Sequence, residues 1–152
     1  MRSTSRRSSA SARRRLVGEA VLGADDVLDC ADFADTIGVN GWPLELHVAG
    51  DVEWRWPSTP ESRGFNQLPY RMPLPKRATA GGIDNLLVAG RCASMMHDGH
   101  SAARVSGACF VTGQVEGTAV ALALQQVVLA PKDLPPVRLQ QALEADGAFL
   151  GR

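Results

Sequence analysis

The alternation of apolar and polar positions in the first half of the chain predicts short strands with little helix. Residues 16–22 and 44–48 alternate as half-buried strands do. Thr36–Val39 forms another short strand, followed by a turn at Asn40-Gly41. A short amphipathic helix begins at Asp25-Asp26, because acidic side chains stabilise the positive end of a helix.

The middle of the chain is rich in proline, and one strong apolar run follows it. Residues 50–64 are predicted to form a loop. Residues 68–76 contain three prolines, which allow only an edge strand or an extended polyproline-like segment. The run Ile83–Ala89 is continuously apolar over most of its length and ends at Gly90, which predicts a strand buried on both faces of a parallel sheet.

Helical patterns dominate the last third of the chain. The longest predicted helix spans Val105 to about Gln126. A final helix is predicted from Pro136 to Asp146, because proline suits a first helical turn and Gly147 is placed to end it. Together these elements predict a mixed fold of the α/β or α+β class.

Composition and charge are those of a single globular domain with a basic tail. The chain has 152 residues, of which 45% are hydrophobic. Six of the 16 basic residues lie within residues 1–15, where no acidic residue occurs, so the remaining chain is acidic. We therefore expect no nucleic-acid partner for the body. The Arg- and Ser-rich tail is interpreted as disordered, and a transit peptide is the alternative.

Cysteine usage and apolar run lengths bear on the compartment. The three cysteines are widely spaced and form no CxxC pair, which is typical of a reducing compartment, and we expect a cytoplasmic protein. Polar residues and glycines interrupt the longest apolar stretch, residues 105–129, so no membrane partner is expected.

The chemistry-bearing stretch is the loop from Gly90 to Arg104 and the helix after it. In open α/β sheets, ligands bind beyond the carboxyl ends of strands, where helix N-termini point. The loop carries six side chains that can donate hydrogen bonds to phosphate, ribose or carbonyl oxygens: Arg91, Ser94, His97, His100, Ser101 and Arg104. Three glycines in the following helix each cost about 1 kcal/mol relative to alanine, which indicates close approach of a sheet or ligand: Gly107, Gly113 and Gly117.

The same stretch resembles the C-terminal signature of a family of FAD-dependent oxidoreductases. The family pattern is a VAGR strand end, then Ser, His and Arg, and a helix with GQxxGTA. It matches Val88–Arg91, Ser94, His97, Arg104 and residues 113–119 here. Three upstream blocks also match in order: RRLVGE at 14–19, GWPLELH at 41–47 and LPYRMPLP at 68–75.

The resemblance implies FAD as cofactor, a small-molecule substrate and a role for each matched residue. The fold implied is the C-terminal part of a three-layer FAD/NAD(P)-binding fold, an incomplete Rossmann domain, with strands of a substrate domain. The implied division is a tail at 1–15, the substrate domain at 16–80 and the FAD-binding part at 81–152. The implied catalytic residues are His97 and Arg104. The implied cofactor-binding residues are Gly90, Arg91, Ser94, Arg104, Gly107, Gly113 and Gln114.

Three departures from the family pattern matter. Ala102 stands where the family often has Ser, and Glu116 stands where a small residue is usual. No GxGxxG follows a strand anywhere in the chain, so the turn that grips a dinucleotide is missing. The sequence therefore predicts a C-terminal fragment of a longer enzyme, or a chain that works with a separate N-terminal dinucleotide-binding half. A non-catalytic truncated homologue is the alternative.

Cysteine, histidine and tryptophan side chains offer two further hypotheses. The spacing of Cys92, His97, His100 and Cys109 matches no common zinc site, so we expect no metal. The tryptophans at 42, 54 and 56 either line a substrate cleft or anchor the loop, and the sequence leaves both open.

Overall fold

The computed structural model describes residues 15–57, 63–76, 83–125 and 130–152. Most of the basic tail, residues 58–62 of the predicted loop, the link between the two predicted domains and Gln126 lie outside the described residues. The division of the chain near residue 80 therefore stays a prediction.

The described elements are four helices and four strands, with two short 3-10 turns. The helices are α1 (Ala24–Leu28), α2 (His97–Ala103), α3 (Ser106–Gln125) and α4 (Pro136–Ala145). The strands are β1 (Thr36–Asn40), β2 (Leu44–Val48), β3 (Asp51–Arg55) and β4 (Asn66–Pro69). The 3-10 turns are Gly90–Cys92 and Pro131–Asp133. The fold is a mixture of helices with small antiparallel sheets.

The strands pair as two separate antiparallel sheets of two strands each. β1 pairs with β4, with Asn40 opposite Asn66 and an irregularity between Thr36 and Gly38. β2 pairs with β3 as a hairpin whose connection is Ala49-Gly50. The prediction of a loop from residue 50 onward was wrong for 51–55, because the exposed strand β3 satisfies its backbone groups on β2 rather than by burying side chains.

The apolar run 83–89 is not a strand in the described structure, and that prediction was wrong. Its backbone makes one inter-segment bond, from the Val88 N–H to the Pro73 carbonyl at 3.1 Å. Ile83 and Leu86 are exposed. A parallel strand needs a neighbour on at least one side, and within the described ranges no strand lies beside this run.

Two other extended segments are looser than predicted. Residues 16–22 make only isolated bridges, from Gly18 to Pro75 and from Leu22 to Met95. Beyond Pro69 the 68–76 segment turns and forms no further strand. The predicted polar loop 90–104 instead contains the helix α2. Gly99 lets α2 pack closely on the backbone of Leu22, because a Cβ there would collide with the Leu22 carbonyl.

One apolar cluster joins the two halves of the described chain. It runs from Leu22 and Ile37 through Tyr70 to the inner face of α3 and to Leu139 on α4. Side-chain hydrogen bonds also connect these elements. The Tyr70 hydroxyl donates to the Pro131 carbonyl at 2.9 Å, and the Gln140 amide donates to the Thr36 carbonyl at 3.1 Å. These bonds fix α4 and the 131–133 turn beside the β1–β4 sheet.

A bidentate ion pair holds the turn that follows β4. Both terminal carboxylate oxygens of Asp35 accept hydrogen bonds from the Arg71 guanidinium at 3.0 Å. Burial alone would raise the pKa of Asp35, but the hydrogen bonds and charge of Arg71 outweigh it and lower the pKa. The pair therefore connects the residue before β1 to the turn after β4.

α3 is apolar on nearly all sides. Among the described helices, α3 is long and apolar enough to cross a membrane, and the mean hydropathy of its most apolar 18 residues is 1.3. Length and composition alone do not separate such a helix from one buried inside a globular protein. The expectation that the chain has no membrane partner therefore stays a prediction.

Candidate functional site

An open cavity of about 560 Å³ lies at the N-terminus of α3. β2, the 90–92 turn, α2 and the start of α3 each contribute to its wall. The lining residues are Glu45, Arg91, His100, Arg104, Val105 and Ser106. Four of these six carry charged or ionisable side chains, so the cavity is suited to a polar or anionic group.

Arg104 is the best-positioned side chain of the cavity. Its guanidinium Nη2 lies 3.1 Å from the Glu45 carboxylate and 3.2 Å from the His47 ring nitrogen. The backbone carbonyl of Arg104 accepts a hydrogen bond from Arg91 Nε at 2.9 Å. This hydrogen bond holds the two arginine residues next to each other, although they lie 13 positions apart in the sequence.

Gly90 positions Arg91 through its backbone conformation. Its φ is +64°, a left-handed value that favours glycine. Its N–H donates to Thr112 Oγ1 at 2.9 Å, which ties the 90–92 turn to the second turn of α3. A Cβ at this position would be in ordinary contact with Cys109. The backbone angle, rather than lack of space, therefore accounts for glycine here.

α2 connects the cavity to the β2–β3 hairpin. The Glu45 N–H donates to Ser101 Oγ at 3.1 Å, and the same hydroxyl donates to the Asp98 carbonyl at 2.6 Å. His100, on the next turn from Arg104, has its pKa lowered, mainly by burial and further by the charges of Arg15 and Arg104. His100 is therefore neutral at pH 7 and able to both donate and accept a proton.

The structure brings together three of the predicted site residues and separates the others. Arg91 and Arg104 line the cavity, with Gly90 directly behind them. His97 lies on the exposed first turn of α2 and does not line the cavity. Ser94 is buried in the core, where its backbone pairs with Leu22. Their functional roles stay predictions.

The predicted positions on α3 lie along its exposed side. Gly107 is one residue beyond the cavity wall, and a Cβ at Gly107 or Gly113 would meet nothing within 4 Å. Gln114 lines a separate, mainly apolar cavity of about 220 Å³ beside Val111 and Phe149. Gly107 and Gly113 therefore lie on an open surface of the described chain, without the close approach predicted from the helix glycines, whereas Gln114 borders this second cavity.

Glu45 and His100 line the cavity without having been assigned a catalytic or cofactor-binding role. His100 was predicted only as one of six hydrogen-bond donors of the 90–104 loop, and its spacing of four positions from Arg104 places the two side chains together once that segment is helical. Glu45 lies inside the GWPLELH block, which carried the resemblance but was not assigned a role. Among the described residues, no three His, Cys, Asp or Glu side chains gather as a metal site.

Glu116 points towards the core rather than to solvent. Its Oε1 is buried and meets no hydrogen-bond partner within the described residues. Burial raises the pKa of Glu116 to about 7, and its charge adds to the burial that raises the pKa of Tyr70 to about 12. The departure from the family pattern thus sits on the packed side of α3.

Comparison with known families identifies the chain. The sequence profile of the FAD dependent oxidoreductase family matches residues 12–143, which is most of the chain. The protein therefore belongs to this family of flavin-dependent oxidoreductases, and FAD is its cofactor. No curated protein and no solved structure matches the chain.

The residues at the cavity fit part of FAD and not all of it. Two guanidinium groups and the N-terminus of a 20-residue helix suit a phosphate or another negatively charged portion of the cofactor. A glycine-rich turn for the pyrophosphate is not part of the sequence. The lining of the cavity therefore suits contact with one charged portion of the cofactor.

Proposed function

We propose that this chain supplies the cofactor-facing loop and the α3 N-terminus of an FAD-dependent oxidoreductase, while a separate segment supplies the dinucleotide-binding turn. One observation carries the proposal. Arg91, Arg104 and the first turn of α3, all within the family match, converge on one cavity. In this view the chain contributes the C-terminal part of an incomplete Rossmann domain.

Charge supports an anionic ligand at this cavity. Arg91 and Arg104 carry two positive charges, Glu45 carries one negative charge, and His100 is neutral at pH 7 because its pKa is lowered. The N-terminus of α3 adds a partial positive charge. The cavity is therefore net positive within a chain whose body is acidic.

The binding free energies involved require a second contributor to cofactor binding. A helix N-terminus offers an anion about 0.3–1 kcal/mol, whereas nanomolar affinity for FAD needs about 12 kcal/mol. Two partly exposed arginines do not close that gap, because one of them is already paired with Glu45. A segment with a glycine-rich turn is the natural source of the rest.

The exposed side of α3 and the 83–89 run offer places for that segment to pack. The three helix glycines have open space where a Cβ would lie. Ile83 and Leu86 are exposed apolar side chains, and a segment that packed on them would bury them.

The chain's own residues would then act on the cofactor and substrate in simple ways. FAD, when bound, supplies acceptance of a hydride from the substrate. Arg91 and Arg104 would hold its negative charge, and His97 would lie near the cofactor or substrate once its exposed surface is covered. The three cysteines are widely spaced and form no CxxC pair, which supports a reducing compartment such as the cytoplasm.

FAD retention with and without a complementing segment tests the proposal. The purified chain is mixed with FAD, alone or with an N-terminal dinucleotide-binding segment of the family, and flavin absorbance is followed after desalting. We expect retention only in the mixture. Retention in neither arm would favour the alternative of a non-catalytic binding module.

An arginine pair provides the matched control. Arg104→Ala should weaken FAD binding in the reconstituted mixture by about tenfold or more, because it removes a charged group from a partly desolvated site. Arg138→Ala removes an exposed arginine on α4, far along the chain from the cavity, and should change nothing. Equal affinity in both variants would refute the role assigned to Arg104.

A further inference from the structure

The β2–β3 hairpin presents one face towards the cavity. Glu45 on β2 lies directly opposite Trp54 on β3, and His47 lies opposite Val52. Residues directly opposite each other on paired strands project to the same side. Glu45 and His47 both contact Arg104, so this side of the hairpin adjoins the cavity. We name the face formed by Trp42, Glu45, His47, Val52 and Trp54 the hairpin wall.

Two tryptophan rings form the apolar part of the hairpin wall. Trp42 and Trp54 meet edge to face with ring centroids 5.6 Å apart. The Trp42 indole nitrogen donates to Glu45 Oε2 at 3.2 Å, which fixes its ring relative to the charged part of the wall. The rings are ordered by these contacts and yet are 41% and 46% exposed, so they cover no core.

Of the two arginines at the cavity, Arg91 has a guanidinium that is not paired with a carboxylate among the described residues. Arg104 is paired with Glu45, whereas the terminal nitrogens of Arg91 meet no partner within the described part of the chain. His100 is neutral at pH 7, because burial lowers its pKa. The lining residues thus carry one more positive than negative charge, which one anionic group would neutralise. The partial positive charge at the N-terminus of α3 also favours an anion.

We propose that the hairpin wall and the adjoining cavity bind a planar, apolar monocarboxylate. Its flat body packs on Trp42 and Trp54, and its carboxylate faces Arg91. Aromatic faces favour a flat ligand, and a guanidinium matches a carboxylate in shape and charge. Under the proposed function Arg91 also holds negative charge of the cofactor, so we expect this ligand to bind the chain alone and to compete with FAD for the cavity.

Tryptophan fluorescence measures this site directly. All three tryptophans of the chain lie between residues 42 and 56, so their emission reports on the hairpin. The chain, without FAD, is titrated with trans-cinnamate, with cinnamamide and with acetate, and calorimetry repeats each titration. Cinnamate should bind saturably. Cinnamamide, which lacks the charge, should bind about tenfold more weakly, and acetate, which lacks the flat body, should show no saturation.

Substitutions separate the two halves of the site. Arg91→Ala should lower cinnamate affinity about tenfold, while Arg138→Ala, an exposed arginine on α4, should leave it unchanged. Trp54→Leu should remove binding measured by calorimetry. Should that variant fail to fold, Val52→Glu tests the same wall, because it adds a like charge at an exposed strand position.

Each outcome bears on the inference. Equal binding of cinnamate and cinnamamide, or unchanged affinity in Arg91→Ala, would overturn it, as would no binding by the unaltered chain. FAD retention with the complementing segment but no cinnamate binding would overturn this inference and leave the proposed function standing. Cinnamate binding without FAD retention would support the inference and count against the proposed function.

Discussion

The two faces of α3 have similar composition and opposite surroundings. The inner face is built of small and β-branched residues that pack on the core: Ala108, Thr112, Val115, Ala119 and Ala123. The outer face is equally poor in charge and is exposed: Gly107, Phe110, Gly113, Gly117, Val120 and Leu124. The helix therefore lacks the polar side that a surface helix of a globular protein carries.

The exposed apolar residues of the outer face distinguish it from the packed inner face. Phe110 and Leu124 are each 76% exposed, and large apolar residues grouped on one helix side mark an interaction surface. The inner face shows how the same kind of sequence behaves when it has a partner, since Val115 and Ala119 lie fully within the core. The outer face is expected to behave in the same way once covered.

The largest expected effect comes from a matched pair of valines, one on each face. Val115 is 1% exposed and Val120 is 44% exposed. Val115→Ala should lower the free energy of unfolding by about 2 kcal/mol, because it removes two buried methyl groups and leaves a cavity. Urea unfolding followed by circular dichroism measures the change.

Val120→Ala is the control for that experiment. It should leave the free energy of unfolding of the chain alone within about 0.5 kcal/mol, since alanine favours helix more than valine does and little buried surface is lost. Equal destabilisation by both substitutions would mean that the outer face is already covered in solution.

The second expected effect concerns Glu116, the polar exception on the packed side of α3. Its pKa is raised by burial from 4.5 to about 7. A folded-state pKa above the unfolded one means that the folded chain binds more protons between these values. Stability is therefore fully present below about pH 4.5 and declines as pH rises through 7. Because Glu116 is only partly buried, we expect a loss of roughly 1–2 kcal/mol.

Glu116→Gln should abolish that dependence and stabilise the chain at pH 8. Unfolding by urea at pH 5, 6, 7 and 8 gives the slope. Glu144→Gln is the control, because Glu144 is exposed and its pKa is lowered by hydrogen bonding to Arg152, so its removal leaves the slope between pH 5 and 7 unchanged. A decline of stability with rising pH that persists in Glu116→Gln would assign the effect to another group, since the lowered pKa of His100 gives a slope of the opposite sign.

The elements that depend on local sequence were predictable, and those that depend on a neighbour were not. The last helix was predicted from Pro136 onward and begins there, and Gly147 follows it with a φ of +85°. β1 was also predicted as a short strand before a turn, and β2 was predicted from alternation. The run 83–89 was not a strand, because a parallel strand exists only beside another strand.

The cavity residues also divide into those that local sequence predicts and those that depend on a contact distant in sequence. Arg91 and Arg104 could be named from the sequence because a glycine turn and a helix start frame them. Glu45 could not, because its role depends on a hairpin that brings β2 next to α2, and its backbone bond to Ser101 spans 56 positions. Local patterns contain no information on that contact.

The smallest expected effect on stability is also the one that separates the two faces of α3 most sharply. Gly117 lies on the outer face, and a Cβ there would meet nothing within 4 Å. Gly117→Ala should therefore stabilise the chain alone by about 0.5–1 kcal/mol, because glycine is a poor helix former. The same methyl group should weaken FAD retention in the reconstituted mixture about tenfold, because it would enlarge a close-packed contact.

A gain in stability combined with a loss of cofactor binding is hard to explain unless something packs against the outer face. Gly147→Ala provides the contrast, because the left-handed φ of Gly147 should make that substitution destabilising by about 1 kcal/mol, with no effect on cofactor binding beyond the loss of folded chain. If Gly117→Ala stabilised the chain and left FAD retention unchanged, the outer face would have no partner in the working enzyme. The exposure of its apolar residues would then need another cause.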